Sequence, residues 1–119
     1  MTLRYLVLFD IDGTLLWPDR AGRDSMRAAL ERVYGTAGPI DSFPFAGRTD
    51  SAIVRDLMAA AGIAEDIVQA RFDELAATLE DEMHTRLADG RHNIRACPGA
   101  LALVEALDAR DDVLLGLLT

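Results

Sequence analysis

The chain has 119 residues, half of them hydrophobic and 27% charged, a balance that suits a single folded domain and excludes a disordered segment. Its formal net charge of -8 argues against nucleic acid or an anionic membrane as a partner. Arginine supplies all 12 basic side chains, and the single Cys97 excludes an internal disulfide framework and suits a reducing compartment, so a cytoplasmic location is expected.

The first element predicted is a strand over residues 3–9. Tyr5, Leu6, Val7, Leu8 and Phe9 form a continuous apolar run of strand length, the pattern of a strand buried on both faces. The run is too short for a membrane span, and only Arg4 is basic ahead of it, so it does not read as a targeting segment. It delivers Asp10 and Asp12 and then Gly13-Thr14, which break the strand.

Four helices follow in the reading. Met26, Leu30 and Val33 are spaced by four and three, which predicts a helix from Ala21 to Tyr34, ended by Gly35 and Gly38-Pro39. Residues 40–49, rich in Phe, Pro and Gly, read as a loop. A second helix fits Asp50 to Ala61, with Asp50 or Ser51 as cap and Gly62 as stop. The third is the longest: Ile67 or Val68, Phe72, Leu75, Leu79, Met83 and Leu87 make one amphipathic stripe to about Ala88. Pro98-Gly99 opens the fourth, with Leu101, Val104 and Leu107 on one side. Val113 to Leu118 is a second buried-strand candidate, and Thr119 follows it.

Two strand candidates therefore flank a long helical middle. One crossover helix would join parallel strands in a dozen residues or so, whereas roughly 100 residues intervene here. The economical reading is a helical insertion after the first strand.

Alternation along an extended strand places Asp10 and Asp12 on one side, at the carboxyl end where open α/β sheets bind ligands. Clustered carboxylates repel, and a divalent cation is the usual remedy. Magnesium takes hard oxygen ligands and needs only one or two carboxylates beside water and substrate phosphate. A carboxylate can also act as a nucleophile, with its neighbour moving the proton. Gly13 would let the backbone turn and bring amides near an anion. Asp and Gly are equally ordinary residues of a solvated turn.

The wording of the motif goes further than its physics. FDIDGTLL, from Phe9 to Leu16, closely resembles the first signature of the haloacid dehalogenase-like hydrolases, a family made largely of magnesium-dependent phosphatases. The resemblance implies Asp10 as nucleophile and Asp12 as general acid and base. It also implies Mg2+ held by the Asp10 carboxylate and the Asp12 backbone carbonyl. An acid at Asp12 suits protonation of an alkoxide, hence phosphate esters. FAGRTDSAI, from Phe45 to Ile53, looks like a cap loop of phosphoglycolate phosphatase-like members, and CPGALALVEAL before the second strand is similarly typical. LLGLLT resembles the second signature, whose final hydroxyl, here Thr119, would bind the phosphoryl group together with Gly13.

The expected fold is α/β: an incomplete Rossmann-like parallel sheet of the first two strands (1–16 and 96–119) with an inserted α-helical cap (17–95). Arg48 and Thr49 on the cap loop are candidates for reaching substrate, since arginine suits an anion. His84 and His92 read as surface residues, Trp17 and Pro18 as a hinge or packing pair, and Glu80-Asp81-Glu82 as a solvated helix face. The family's third and fourth signatures, a basic residue and further metal-binding acids, have no counterpart in the chain. The expectation is therefore a magnesium-dependent phosphatase acting on a small phosphorylated metabolite through an aspartyl-phosphate. It would be present as a fragment, or need the missing C-terminal half or a sheet-completing partner chain, with little activity alone. A phosphomutase of the same family and a non-catalytic binding module are the alternatives.

Overall fold

The computed structural model describes residues 2–118, so Thr119 lies outside the described residues. Its elements run in the order β1 (Tyr5–Phe9), β2 (Leu16–Trp17), α1 (Ala21–Tyr34), α2 (Asp50–Ala60), α3 (Glu65–Ala70), α4 (Phe72–Ala88), β3 (Arg95–Ala96), α5 (Ala100–Asp108) and β4 (Val113–Leu117), with one 3-10 turn at Ile40–Ser42. Among the described residues no helix is long and apolar enough to cross a membrane.

The chain divides into two compact units, one formed by the segments up to Asp19 and from Asn93 onward, the other by Arg20–His92. In the first unit β1 and β4 pair in parallel, Tyr5 opposite Val113 through to Phe9 opposite Leu117. Gly116 stands opposite Leu8, and a Cβ there would come within 3.0 Å of the Leu8 Cδ2. A second, antiparallel ladder joins β2 to β3, Leu16 opposite Ala96 and Trp17 opposite Arg95. This short ladder holds residues 16–17 and 95–96 in the first unit. The division therefore falls at Arg20 and His92, whereas the sequence suggested 17 and 95.

The apolar runs of β1 and β4 are not buried on both faces as expected. Leu6 is 62% and Leu114 52% exposed, and Tyr5, Leu8 and Leu117 are also open. Among the described residues the ladder has two strands, with α5 packed against β4, so most of its apolar surface lacks a covering layer.

The helical unit holds the core. Met26, Ala29, Leu30 and Val33 recur at the helical spacing of α1 and are buried against Ile53, Val54, Leu57 and Met58 of α2, with Ile40, Val68 and Leu75 completing the cluster. Full burial of a side chain such as Leu30 stabilises the fold by about 1.5–3 kcal/mol. Helix α1 begins after two left-handed residues, Asp19 (φ 48) and Arg20 (φ 65), and ends at Gly35, whose amide donates to the Glu31 carbonyl at 3.0 Å. It packs along α4, where Glu82 accepts from Arg32 at 2.7 Å and from Arg86 at 2.6 Å.

The single long helix expected from Ile67 to Ala88 is two helices. The break falls at Arg71 (φ -112, ψ 12). Its guanidinium donates to the Val33 carbonyl and pairs with Glu74, while the Tyr34 hydroxyl donates to the Val68 carbonyl at 2.8 Å. Contacts with the end of α1 thus override a segment free of Gly and Pro. Helix α2 starts at Asp50 as expected, but its cap lies one residue before the residues expected to supply it. Thr49, not Asp50 or Ser51, caps it, its Oγ1 accepting the Ala52 amide at 3.3 Å.

Candidate active site

Strand β1 ends at Phe9, and Asp10, Ile11 and Asp12 leave it with exposure alternating: both aspartates are exposed and Ile11 is half-buried between them. The alternation keeps the two carboxylates outside while the intervening side chain packs inward. Asp12 is held by a bridge to Leu16. Beyond it the Ile11 carbonyl lies within reach of three amides, Thr14 (3.2 Å), Leu15 (2.9 Å) and Leu16 (3.2 Å), and the Gly13 amide donates to the Leu16 carbonyl at 2.8 Å. Gly13 has φ +78, a conformation that side chains resist, so glycine is what this tight turn requires. The Gly13 amide is engaged inside the turn.

Strand β4 brings the second apolar run to the same end of the ladder. The Leu118 amide donates to the Phe9 carbonyl at 2.8 Å, one residue before Asp10. Parallel pairing thereby sets the two strand ends side by side. The loop after Asp12 is tied to the other end of the insertion as well, through the Cys97 amide and the Leu15 carbonyl at 2.8 Å. Neither link was singled out in the sequence, where the only signal was the order of the two apolar runs.

Asp10 and Asp12 offer hard oxygen donors, the kind magnesium takes, and they are accessible. Among the described residues no three His, Cys, Asp or Glu side chains converge on a metal position. The donor set thus fits a cation that draws its other ligands from water and phosphate, not an all-protein cage.

The two cap candidates are in the helical unit, and both side chains have structural partners. Arg48 pairs with Asp56 and lies over the Phe43 ring, 4.8 Å from its centroid. Thr49 is the α2 cap. Their neighbourhood is stiffened by Arg23, which donates to the carbonyls of Ile40 and Phe43 and lies 4.2 Å from the centre of Phe45. His84 is exposed as expected. His92 is not a surface residue: its side chain is 13% exposed and its Nε2 meets Asp24 Oδ2 at 2.9 Å. Burial against Asp24 was invisible in sequence because 68 residues separate the two. Glu82, expected on a solvated face, is 16% exposed and holds α1 to α4.

Three solved structures share this arrangement of elements. A protein from Lactobacillus plantarum assigned as a phosphoglycolate phosphatase is 31% identical over 98% of this chain and 49% of its own, with a TM-score of 0.55. A haloacid dehalogenase hydrolase of family IA, variant 3, from Entamoeba histolytica is 23% identical over 100% of this chain and 50% of its own, with a TM-score of 0.56. A protein from Haemophilus somnus predicted to be a phosphoglycolate phosphatase is 20% identical over 98% of this chain and 51% of its own, with a TM-score of 0.52. No family model and no curated protein matches the chain. The chain has the fold of the haloacid dehalogenase-like hydrolases, an α/β ladder with an inserted helical unit. The resemblance to their phosphoglycolate phosphatase-like group is borne out, and the chain spans about half the length of these relatives.

Proposed function

We propose that this chain carries the nucleophile and the general acid of a phosphoric monoester hydrolase that acts on a small phosphorylated metabolite. The observation that supports the reading is the exposed Asp10/Asp12 pair leaving the carboxyl end of β1, beside the end of β4. Asp10 attacks the phosphorus while the ester P–O bond breaks, and the Asp12 carboxyl gives its proton to the departing alkoxide. Asp12, now a carboxylate, takes a proton from water as that water attacks the aspartyl-phosphate, releasing inorganic phosphate and restoring Asp10. A magnesium ion, bound through the Asp10 carboxylate and the Asp12 carbonyl, would supply charge neutralisation for the phosphoryl group. Thr119 is proposed as a phosphate contact. Arg48 and Thr49 hold the loop and the start of α2, and a substrate anion would have to displace Asp56 to reach Arg48.

The working enzyme is proposed to include further polypeptide, in the same chain or as a partner, that pairs with the ladder and covers Leu6, Leu8 and Leu114. Phosphoryl transfer relies on positioned cations and metal ligands, so without that polypeptide turnover falls by orders of magnitude. The test is hydrolysis of an aryl phosphate, with and without magnesium, by the protein with its sheet completed. Magnesium-dependent turnover that Asp10→Asn abolishes supports the proposal; turnover unchanged by Asp10→Asn overturns it.

A further inference from the structure

The helical unit contains a groove that the phosphatase reading does not use. It has a volume of about 440 Å³ and runs between the start of α2 and the length of α4. Its walls are Val54, Phe72, Leu75, Leu79, Met83 and Leu87. Five of these come from the α4 stripe, of which only Leu75 is fully buried. This volume lies in the range of small-molecule sites, about 300–1,000 Å³.

The charged side chains on the groove give it a sign. Asp50 and Glu80 both line it, and neither an arginine nor a lysine does. Glu80 lies 3.8 Å from His84, and both are largely exposed. The chain's own charge of -8 and the acids beside the stripe disfavour a second copy of α4 on this face. An organic anion would meet two carboxylates and, among the described residues, no arginine or lysine. An ammonium on an apolar body would bury the body against Leu79, Met83 and Phe72, and the carboxylates on the lining, Asp50 and Glu80, would favour its charge over that of an anion.

We propose that this groove is a binding site for a small apolar amine. The inference stands on the walls of the helical unit alone, independent of Asp10 and Asp12. Calorimetric titration of the 119-residue chain with phenylbutylamine, phenylbutanol and phenylbutyrate tests it. The amine should bind about fivefold or more tighter than the alcohol, with the acid weakest, in keeping with two partly screened carboxylates. Asp50→Asn with Glu80→Gln should remove the preference for the amine and leave the alcohol unchanged. Ala76→Trp, at an exposed position that lines the groove, should abolish binding of both while the circular dichroism stays native. Binding of the acid as tight as the amine overturns the proposal, as does an amine preference that survives the double substitution. No binding of the amine at millimolar concentration overturns it too.

Discussion

The amide of Leu118 and the carbonyl of Phe9 meet at 2.8 Å, which closes the β1–β4 ladder one residue short of Asp10. That bond carries the end of the second apolar run to the carboxylates, and it exists because the two runs pair in parallel register from Tyr5–Val113 onward. The same ladder leaves Leu6 and Leu114 more than half exposed. Apolar strand surface of this kind invites association. The 119-residue chain should therefore bind a hydrophobic dye such as anilinonaphthalene sulfonate and sediment above monomer mass. Leu6→Lys with Leu114→Glu should lower both signals. A chain that is monomeric and dark with the dye would contradict a need for a covering layer.

Gly38 tests the packing of the helical unit. It has φ +59, and a Cβ there would fall 2.6 Å from the Leu57 carbonyl oxygen, backbone that cannot step aside. Gly35 has φ +81 with no atom within 4 Å of the same position. Gly35→Ala should cost about 1 kcal/mol, the left-handed penalty alone. Gly38→Ala should cost about 2–4 kcal/mol because overpacking adds to it. Urea unfolding of the two variants gives the comparison, and equal losses would show that the α2 backbone gives way freely.

Thr49 and Arg48 separate structural from substrate roles. Thr49→Ala removes the Ala52 cap and should destabilise the unit by about 1 kcal/mol. Arg48→Ala should lower stability and leave phosphate-ester turnover in the completed enzyme within a few fold. A large rise in KM at unchanged stability would instead place Arg48 on the substrate.

Glu82 makes the α1–α4 contact sensitive to acid. Hydrogen bonds from Arg86 first, and then Arg32, hold its carboxyl below its ordinary value of 4.5. A carboxylate with a lowered folded pKa contributes stability that is fully present above the unfolded value and is lost as pH falls through the folded one. The midpoint of thermal unfolding should therefore drop below about pH 4.5 more steeply in the wild type than in Glu82→Gln. At neutral pH the Gln variant should be less stable by about 1 kcal/mol, measured by denaturant unfolding.

Where local pattern and packing agree, sequence sufficed. Helix α1 matches its expected bounds because Met26, Leu30 and Val33 mark one face and Gly35 stops it. The strands were legible as apolar runs, and so was the position of Asp10 and Asp12 just beyond the end of the first. The apolar runs alone suggested burial on both faces, and the openness of Val113 to Leu117 followed only from the want of further strands, because burial depends on how many layers cover the ladder and not on the residues within it. The break at Arg71 carries no Gly or Pro signal and arises from bonds to Val33 and within Arg71–Glu74. His92 pairs with a residue far away in sequence, and Glu82 looked solvated because its partner Arg32 is on another helix. The β2–β3 ladder, two residues on each side, is too short to show any period.

The most direct measurement of the central claim is chemical trapping of the intermediate at Asp10. The protein with its sheet completed would be quenched during turnover of an aryl phosphate with magnesium, reduced with borohydride and digested for mass spectrometry. An aspartyl-phosphate is reduced to homoserine, so the account predicts homoserine at position 10, dependent on substrate and absent in Asp10→Asn. Sustained magnesium-dependent turnover with aspartate unmodified at position 10 would contradict it.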